Sequence, residues 1–362
     1  MSHLFQIGAS NAKKALEYGV ALGVLSVVFG VACSTPGCIG GSLGDDDGFE
    51  QLGPGVFSQP ASAGTYRVTM EVEGTAGAAR QYVLHVPESA PPEVGWPTVF
   101  AFHGGGGQAE SMLDETGWDE LADEEGFAVV LPEGTRPHPD RPPRFGGNSQ
   151  TWNDGTERTE LGAVSRGEDD IEYVDAVIDD VKRRVDVDTS RLYSSGFSNG
   201  GSMAFYLARE RPDTWTAIAP FASRDVDEQQ PELDGALSML YTTGTEDPLN
   251  PVDGGEVYIG QRHYGYSPPV GEQFQRWLSA LDCPETSRSV EIGETTADEY
   301  VDSCREGHRV GLILIDGHGH HWPGGNSMLW EGDLAGPDTA DIDLTEVIWA
   351  FFNDVEARGS IQ

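Results

Sequence analysis

The sequence predicts an α/β fold in which a mostly parallel central sheet is flanked by helices on both faces. Three observations carry this. Short continuous apolar runs, such as 98–102 and 127–131, read as strands buried on both faces. Segments with apolar residues at helical spacing alternate with them, and strands joined by crossover helices pair in parallel. At 192–205 a β-favouring run passes directly into a helical pattern through Gly196-Phe197-Ser198-Asn199-Gly200, a Gly-x-Ser-x-Gly turn.

Taken in order, residues 1–33 read as an export signal. Lys13 and Lys14 precede an apolar run over 20–32 that is short for a bilayer span. It ends in Val31-Ala32-Cys33, which resembles a bacterial lipoprotein cleavage site and marks Cys33 for lipidation, although Gly30 stands where such sites usually carry leucine. A plain secretory signal and an uncleaved anchor are the other readings. Residues 34–62, rich in Gly, Ser, Pro and Asp, are expected to form a flexible acidic tether, and residues 63–362 one α/β domain.

Within that domain, 66–72 and 80–86 alternate in strand fashion around a glycine-containing turn and predict an antiparallel pair at one sheet edge. The strands at 98–102 and 127–131 bracket a helix at 109–125. Ile171, Val174, Val177, Ile178 and Val181 give helical spacing over 169–185. After the strand that starts near Leu192 and the helix following Ser198 come strands at 217–220, 237–242 and 310–315. Further helices are expected at 273–281 and 344–355, and no internal repeat is visible.

The formal charge of −38, with Lys182 the only lysine outside the leader, argues against binding nucleic acid or an anionic membrane through a basic face. A soluble acidic surface is the simpler meaning. Cys283 and Cys304 suit one disulfide in an oxidising compartment, contributing about 3 kcal/mol. Cys38 is left to pair with Cys33, if that residue is not lipidated, or to stay free.

A strand turning straight into a helix strains and exposes the residue at the turn, so Ser198 is the candidate nucleophile. Three other loops follow predicted strands, where an α/β sheet gathers its site. His103-Gly104-Gly105-Gly106-Gly107 exposes backbone N–H groups suited to a developing oxyanion together with the N–H of Asn199; Gly105 and Gly106 are both candidates. A phosphate loop is the poorer reading, because no Lys-Ser/Thr pair follows. In Thr243-Gly244-Thr245-Glu246-Asp247-Pro248, Asp247 is placed to orient an imidazole, with Glu246 in reserve. In Asp316-Gly317-His318-Gly319-His320-His321-Trp322 spacing alone does not choose among three histidines, and a metal reading lacks a matching carboxylate or cysteine cluster. The order serine, aspartate, histidine is that of an α/β-hydrolase triad.

These motifs, with Thr151-Trp152-Asn153-Asp154-Gly155, Asp169-Asp170-Ile171 and His320-His321-Trp322-Pro323-Gly324-Gly325, resemble secreted α/β-hydrolases related to polyhydroxybutyrate depolymerases and feruloyl esterases. The resemblance covers about 66–355. It implies the α/β-hydrolase fold, Ser198 as nucleophile and Asp247 as acid. Family members place the catalytic histidine two residues before a Trp-Pro pair, which selects His320 over His318 and His321. Thr243, where relatives often carry histidine, and the approach Asp316-Gly317-His318 depart from the pattern and bear on substrate preference. Substrate contact is expected from His103, Trp152 and Trp322. The irregular segment 132–167 and the segment 256–269, with Tyr258, His263, Tyr264 and Tyr266, are expected to border the cleft.

The sequence therefore reads as a secreted or surface-tethered serine carboxylic ester hydrolase. It needs no cofactor or metal and acts on feruloyl, aryl or short-chain esters, including side-chain esters of plant polysaccharide. A polyhydroxyalkanoate depolymerase or oligomer hydrolase is the alternative, weakened by the lack of a separate substrate-binding domain. An inactive surface-tethered binding lipoprotein is a reading from another class; it requires a broken triad or a blocked oxyanion loop, and neither is visible. The expected partner is an ester derived from polysaccharide or polyester, with a membrane tether through lipidated Cys33 and no nucleic acid.

Overall fold

In a computed structural model the chain separates into two units, Met1–Gly48 and Phe49–Gln362. The described residues, 50–52, 61–72, 79–156, 158–233, 237–259, 261–284, 287–292, 295–301, 304–326, 335–339 and 341–355, all belong to the second. The export signal, Cys33, Cys38 and most of the 34–62 tether lie outside them.

The strands among the described residues are β1 (Glu50–Leu52), β2 (Gly64–Met70), β3 (Arg80–Val86), β4 (Trp96–Phe102), β5 (Ala128–Pro132), β6 (Val187–Phe197), β7 (Ala217–Phe221), β8 (Ser238–Gly244), β9 (Gly255–Ile259), β10 (Arg262–Ser267), β11 (Arg288–Ile292), β12 (Thr295–Val301) and β13 (Val310–Ile315). The helices are α1 (Ala109–Thr116), α2 (Trp118–Glu125), α3 (Gly162–Arg166), α4 (Asp170–Arg184), α5 (Asn199–Glu210), α6 (Val270–Ala280) and α7 (Leu344–Asp354). One sheet runs in the order β1-β2-β3-β5-β4-β6-β7-β8-β13-β12-β11. Its middle, from β5 to β13, is parallel, while β2, β3, β11 and β12 add antiparallel pairing at the two edges.

The central strands are apolar throughout because both faces are covered. On one face Tyr173, Val174 and Val177 of α4, Phe205 and Leu207 of α5 and Phe274 and Trp277 of α6 share a buried cluster. On the other Met112 and Leu113 of α1, Trp118 of α2 and Ile348, Trp349 and Phe352 of α7 do the same. The α4 helix begins as its sequence implies: Asp169 caps it by accepting the N–H of Glu172 at 3.0 Å, and Lys182, Arg183 and Arg184 sit in its last turn, where cations suit the dipole.

The structure departs from expectation at the helix read over 109–125, which is two helices. Gly117 takes φ 65°, closes α1 by donating its N–H to Leu113 O, and lets Trp118 turn fully into the core. Four features were not anticipated: the short strand β1 inside the expected tether, the short helix α3 inside the segment read as irregular, the edge pair β11–β12, and the hairpin β9–β10. Cys283 and Cys304 form a disulfide that fastens the end of α6 to the segment after β12. Among the described residues no helix is long and apolar enough to cross a membrane.

Candidate active site

Strand β6 ends at Phe197 and α5 begins at Asn199, which leaves Ser198 alone to make the turn. Its φ of 55° and ψ of −120° lie where a non-glycine residue pays about 1–3 kcal/mol and persists only if its surroundings impose the conformation. The imposing contacts are backbone. Ser198 donates its N–H to Phe221 O at the end of β7, and Ser202 donates to Ser198 O in the first turn of α5, both at 3.0 Å. Gly200 sits against the carbonyl oxygens of Phe102 and His103 so closely that no Cβ fits.

His320 follows β13 and Asp247 follows β8, the neighbouring parallel strand. His320 Nδ1 stands 2.8 Å from Asp247 Oδ2, with both side chains buried. The other carboxylate oxygen, Oδ1, accepts the N–H groups of Leu249 and Asn250 at 2.8 and 2.9 Å. A carboxylate so held acts as acceptor, so Nδ1 of His320 carries the proton and Nε2 keeps its lone pair.

The two neighbouring histidines are engaged elsewhere. His318 accepts the Thr339 N–H at Nδ1 and donates Nε2–H to His321 O at 2.9 Å; burial holds it below the usual histidine range, hence neutral. His321 donates to Gly336 O at 3.0 Å. Among the described residues no three His, Cys, Asp or Glu side chains group to hold a metal ion.

Ser198 and His320 open into one cavity of about 380 Å³, which Gly104, Gly105 and Asn199 also line. The two oxyanion candidates on the glycine loop separate here. Gly106 spends its N–H on Gln150 O at 2.6 Å and does not line the cavity; Gly105 does. Asn199 opens α5, where an N–H has no carbonyl one turn back to bond.

Comparison with known proteins places the chain in a family. The Esterase PHB depolymerase family matches residues 80–268. The chain belongs to that family. It is 31% identical over 267 residues to NocK of Nocardia uniformis subsp. tsuyamanensis, a protein given an esterase name, covering 69% of this chain and 72% of that one. It is 24% identical over 256 residues to Feruloyl esterase B of Piromyces equi (70% and 44%) and 29% identical over 166 residues to Poly(3-hydroxyalkanoate) depolymerase C of Paucimonas lemoignei (45% and 36%). The chain thus spans less than half the length of those two relatives. Among solved structures, sOPH aligns with TM-score 0.52 at 16% identity, covering 86% of this chain and 92% of that one. Acetyl xylan esterase from Aspergillus awamori aligns at 0.50 and 14%, covering 80% and 99%. The fold is that of the α/β-hydrolases, and the protein is a carboxylic ester hydrolase.

In this esterase the three side chains expected to touch substrate do not line the cavity. His103 is buried behind the glycine loop. Its Nδ1 donates to Gly104 O at 2.8 Å, its Nε2 accepts the Gly134 N–H at 3.0 Å, and burial pulls it down to about 4, so it is a neutral buckle. The Trp152 indole donates to His103 O at 2.9 Å, and the Trp322 indole donates to Thr345 Oγ1 at 3.0 Å. A buried indole N–H needs an acceptor, and both rings take theirs from the scaffold. Of the aromatic residues on 256–269, Tyr264 lines the cavity.

Three features of the candidate site escaped the sequence reading. The Asn199 side chain accepts the Trp152 N–H and donates to Asp154 Oδ2, each at 2.8 Å, tying the elbow to the segment after β5. Gln150 holds the glycine loop through Gly106. Arg224, just beyond β7, lines the cavity. Asn199 lies inside the elbow motif, which signals its backbone N–H but not these side-chain bonds; no local motif surrounds Arg224, and Gln150 is found only by its place just before Thr151-Trp152-Asn153-Asp154.

Proposed function

We propose that this esterase cleaves its substrates through a Ser198-His320-Asp247 triad and an acyl-enzyme, and that its substrates are soluble aryl or short-chain esters, feruloyl and acetyl side-chain esters among them. One observation carries the reading: a strained serine and a histidine whose far nitrogen is fixed on a buried carboxylate share one cavity.

Ser198 Oγ adds to the ester carbonyl while His320 Nε2 takes its proton. Asp247 holds the imidazole in the useful tautomer and stabilises the imidazolium. The N–H groups of Asn199 and Gly105 receive the oxyanion. The imidazolium then protonates the departing alcohol, and water, activated by His320, releases the acid. A cavity of about 380 Å³ with Phe145, Leu161, Leu249 and Val257 in its lining suits a small acyl or aryl group better than a polymer segment.

Export is part of the proposal, supported by the leader and by a disulfide of the kind kept in oxidising compartments. The mass of the mature N-terminal peptide tests both cleavage and a lipid on Cys33. Activity is tested with p-nitrophenyl acetate before and after a serine-directed inhibitor. We expect an adduct on Ser198, and Ser198→Ala lowering kcat by roughly a million-fold. An unchanged rate in that variant, or an adduct elsewhere with loss of activity, overturns the assignment. A panel of methyl ferulate, acetylated xylan and hydroxybutyrate oligomers then ranks the substrate classes.

A further inference from the structure

The cavity that holds Ser198 also holds positive charge, in a chain whose formal charge is −38. Two arginines line it. Arg158 is balanced: its Nη2 donates to Asp154 Oδ2 at 2.6 Å and its Nε to Thr156 Oγ1. Arg224 is not. Only 8% of it is exposed, and its side-chain partners are two backbone carbonyls of β10, Tyr266 O at 3.1 Å from Nη1 and Tyr264 O at 3.2 Å from Nη2. Among the described residues no carboxylate stands within ion-pair distance of it. Glu160, the one acid lining the cavity, is on the exposed rim.

The backbone delivers this arginine to the site. Ala222, the first residue after β7, takes φ 47° and donates its N–H to Thr242 O at 2.9 Å. That turn sends Ser223 and Arg224 to the cavity, beside the strand that anchors Ser198 through Phe221 O. A guanidinium has five N–H donors in a fixed fork, and two carbonyls leave donors to spare. A cation removed from water without an anion beside it is held at a cost that a bound carboxylate offsets. Burial first, and then the nearby Arg158, pull Arg224 down to about 10 against the charges of Asp154 and Glu160, neither of which is within ion-pair distance, so it remains charged in neutral solution.

We propose that Arg224 is a specificity residue that takes a carboxylate carried by the substrate, so that the preferred esters are anionic ones with a free carboxylate within the span of the cavity. This rests on Ser198 being the nucleophile of that cavity. The charge of the whole protein works against it: a strongly acidic enzyme repels anionic substrates at long range, so selectivity for them has to come from a local cation.

The test compares matched ester pairs on the wild-type chain. On the acyl side, mono-4-nitrophenyl glutarate is set against 4-nitrophenyl butyrate. On the alcohol side, 3-acetoxybutyrate is set against its methyl ester. We expect one pair to show kcat/KM about tenfold or more in favour of the anion, mostly through KM, as a charge-assisted bidentate contact supplies. The pair that responds tells which side of the ester carries the carboxylate. Arg224→Gln is expected to bring that ratio to one or below. Glutarate should inhibit neutral-ester turnover competitively in the wild type, which needs no variant to fold. Ratios at or below one for both pairs, or a ratio that survives in Arg224→Gln, overturn the proposal. Turnover of the neutral ester with Ser198 labelling is read separately, so a failed nucleophile assignment is distinguished from a failed Arg224 role.

Discussion

Ser198, Asp247 and His320 each stand within five residues of the end of a strand in the parallel sheet, β6, β8 and β13. The residues lining the rest of the cavity come largely from elsewhere: Phe145, Gly146, Arg158 and Leu161 from the long connection after β5, Val257 and Tyr264 from the β9–β10 hairpin. The first group is over-determined. Both carboxylate oxygens of Asp247 are engaged, Ser198 is gripped from two strands and a helix, and the elbow glycines Gly196 and Gly200 pack against backbone. The second group is held mostly by its own turns, such as Asn148 donating to the carbonyls of His138, Arg141 and Pro142. A sheet fixes the atoms proposed to react, and loops line the rest of the cavity.

The largest effects should come from the strand-end group. Asp247→Asn keeps an acceptor for Leu249 and Asn250 but presents an amide N–H2 or a neutral oxygen to His320, which favours the wrong tautomer. A fall in kcat of about ten-thousand-fold is expected with little change in fold; steady-state kinetics on a p-nitrophenyl ester measures it. A loss under tenfold means His320 does not depend on this carboxylate.

A pair of glycine substitutions sharpens the contrast between the two regions. A Cβ at Gly200 collides with the carbonyl oxygens of Phe102 and His103, backbone that has no room to move, so Gly200→Ala should cost above about 4 kcal/mol and yield little folded enzyme. Gly146 lines the cavity at φ 71° with nothing within 4 Å of a Cβ. There alanine meets only the conformational cost of about 1–2 kcal/mol, a fall in Tm of a few degrees. Equal Tm shifts in the two variants would show that the wall is as tightly built as the centre.

The same contrast explains what was legible in the sequence. The elbow announces itself because strand, turn and helix are contiguous and each imposes its own residue preference on 192–205. Asp247 and His320, which the fold brings together, were singled out because each follows an apolar run, and the choice of His320 came from the resemblance, not from spacing. Trp152 and Trp322 misled because an aromatic residue near a motif has the same sequence signature whether it meets substrate or carries the loop from behind. The hairpin β9–β10 was hidden by Gly260 and Gly265, which interrupt its alternation, and the β11–β12 edge by polar strands such as Thr295–Val301. Gly117 divides a helix whose apolar spacing continues across it. Arg224 had no local signal at all: its meaning depends on which carboxylates are not beside it.

A last, pH-dependent effect probes where the rigid centre ends, beneath the glycine loop. Gln150 accepts the Gly106 N–H and donates from its side chain to Glu133, whose other oxygen accepts the Ala109 N–H at 3.0 Å. Removal from water, with the charge of Glu110 nearby, pushes the Glu133 carboxyl up to about 8, while burial pulls His103 down to about 4. The two act on stability with opposite signs. Between about 4 and the ordinary 6.5 of histidine, only the unfolded chain holds the His103 proton, so that contribution grows as pH rises and is complete above the window. Between the ordinary 4.5 of glutamate and about 8, only the folded chain holds the Glu133 proton, so that contribution shrinks as pH rises. From pH 6.5 to 8 Glu133 acts without opposition from His103. At about 1.4 kcal/mol per pH unit this amounts to about 2 kcal/mol, or roughly 3 °C in Tm. Melting curves of the wild type should therefore fall more steeply across that interval than those of Glu133→Gln, which has no proton to lose. Parallel curves would mean that Glu133 is already ionised in the folded chain, and that the glycine loop rests on a charge instead of a neutral carboxyl.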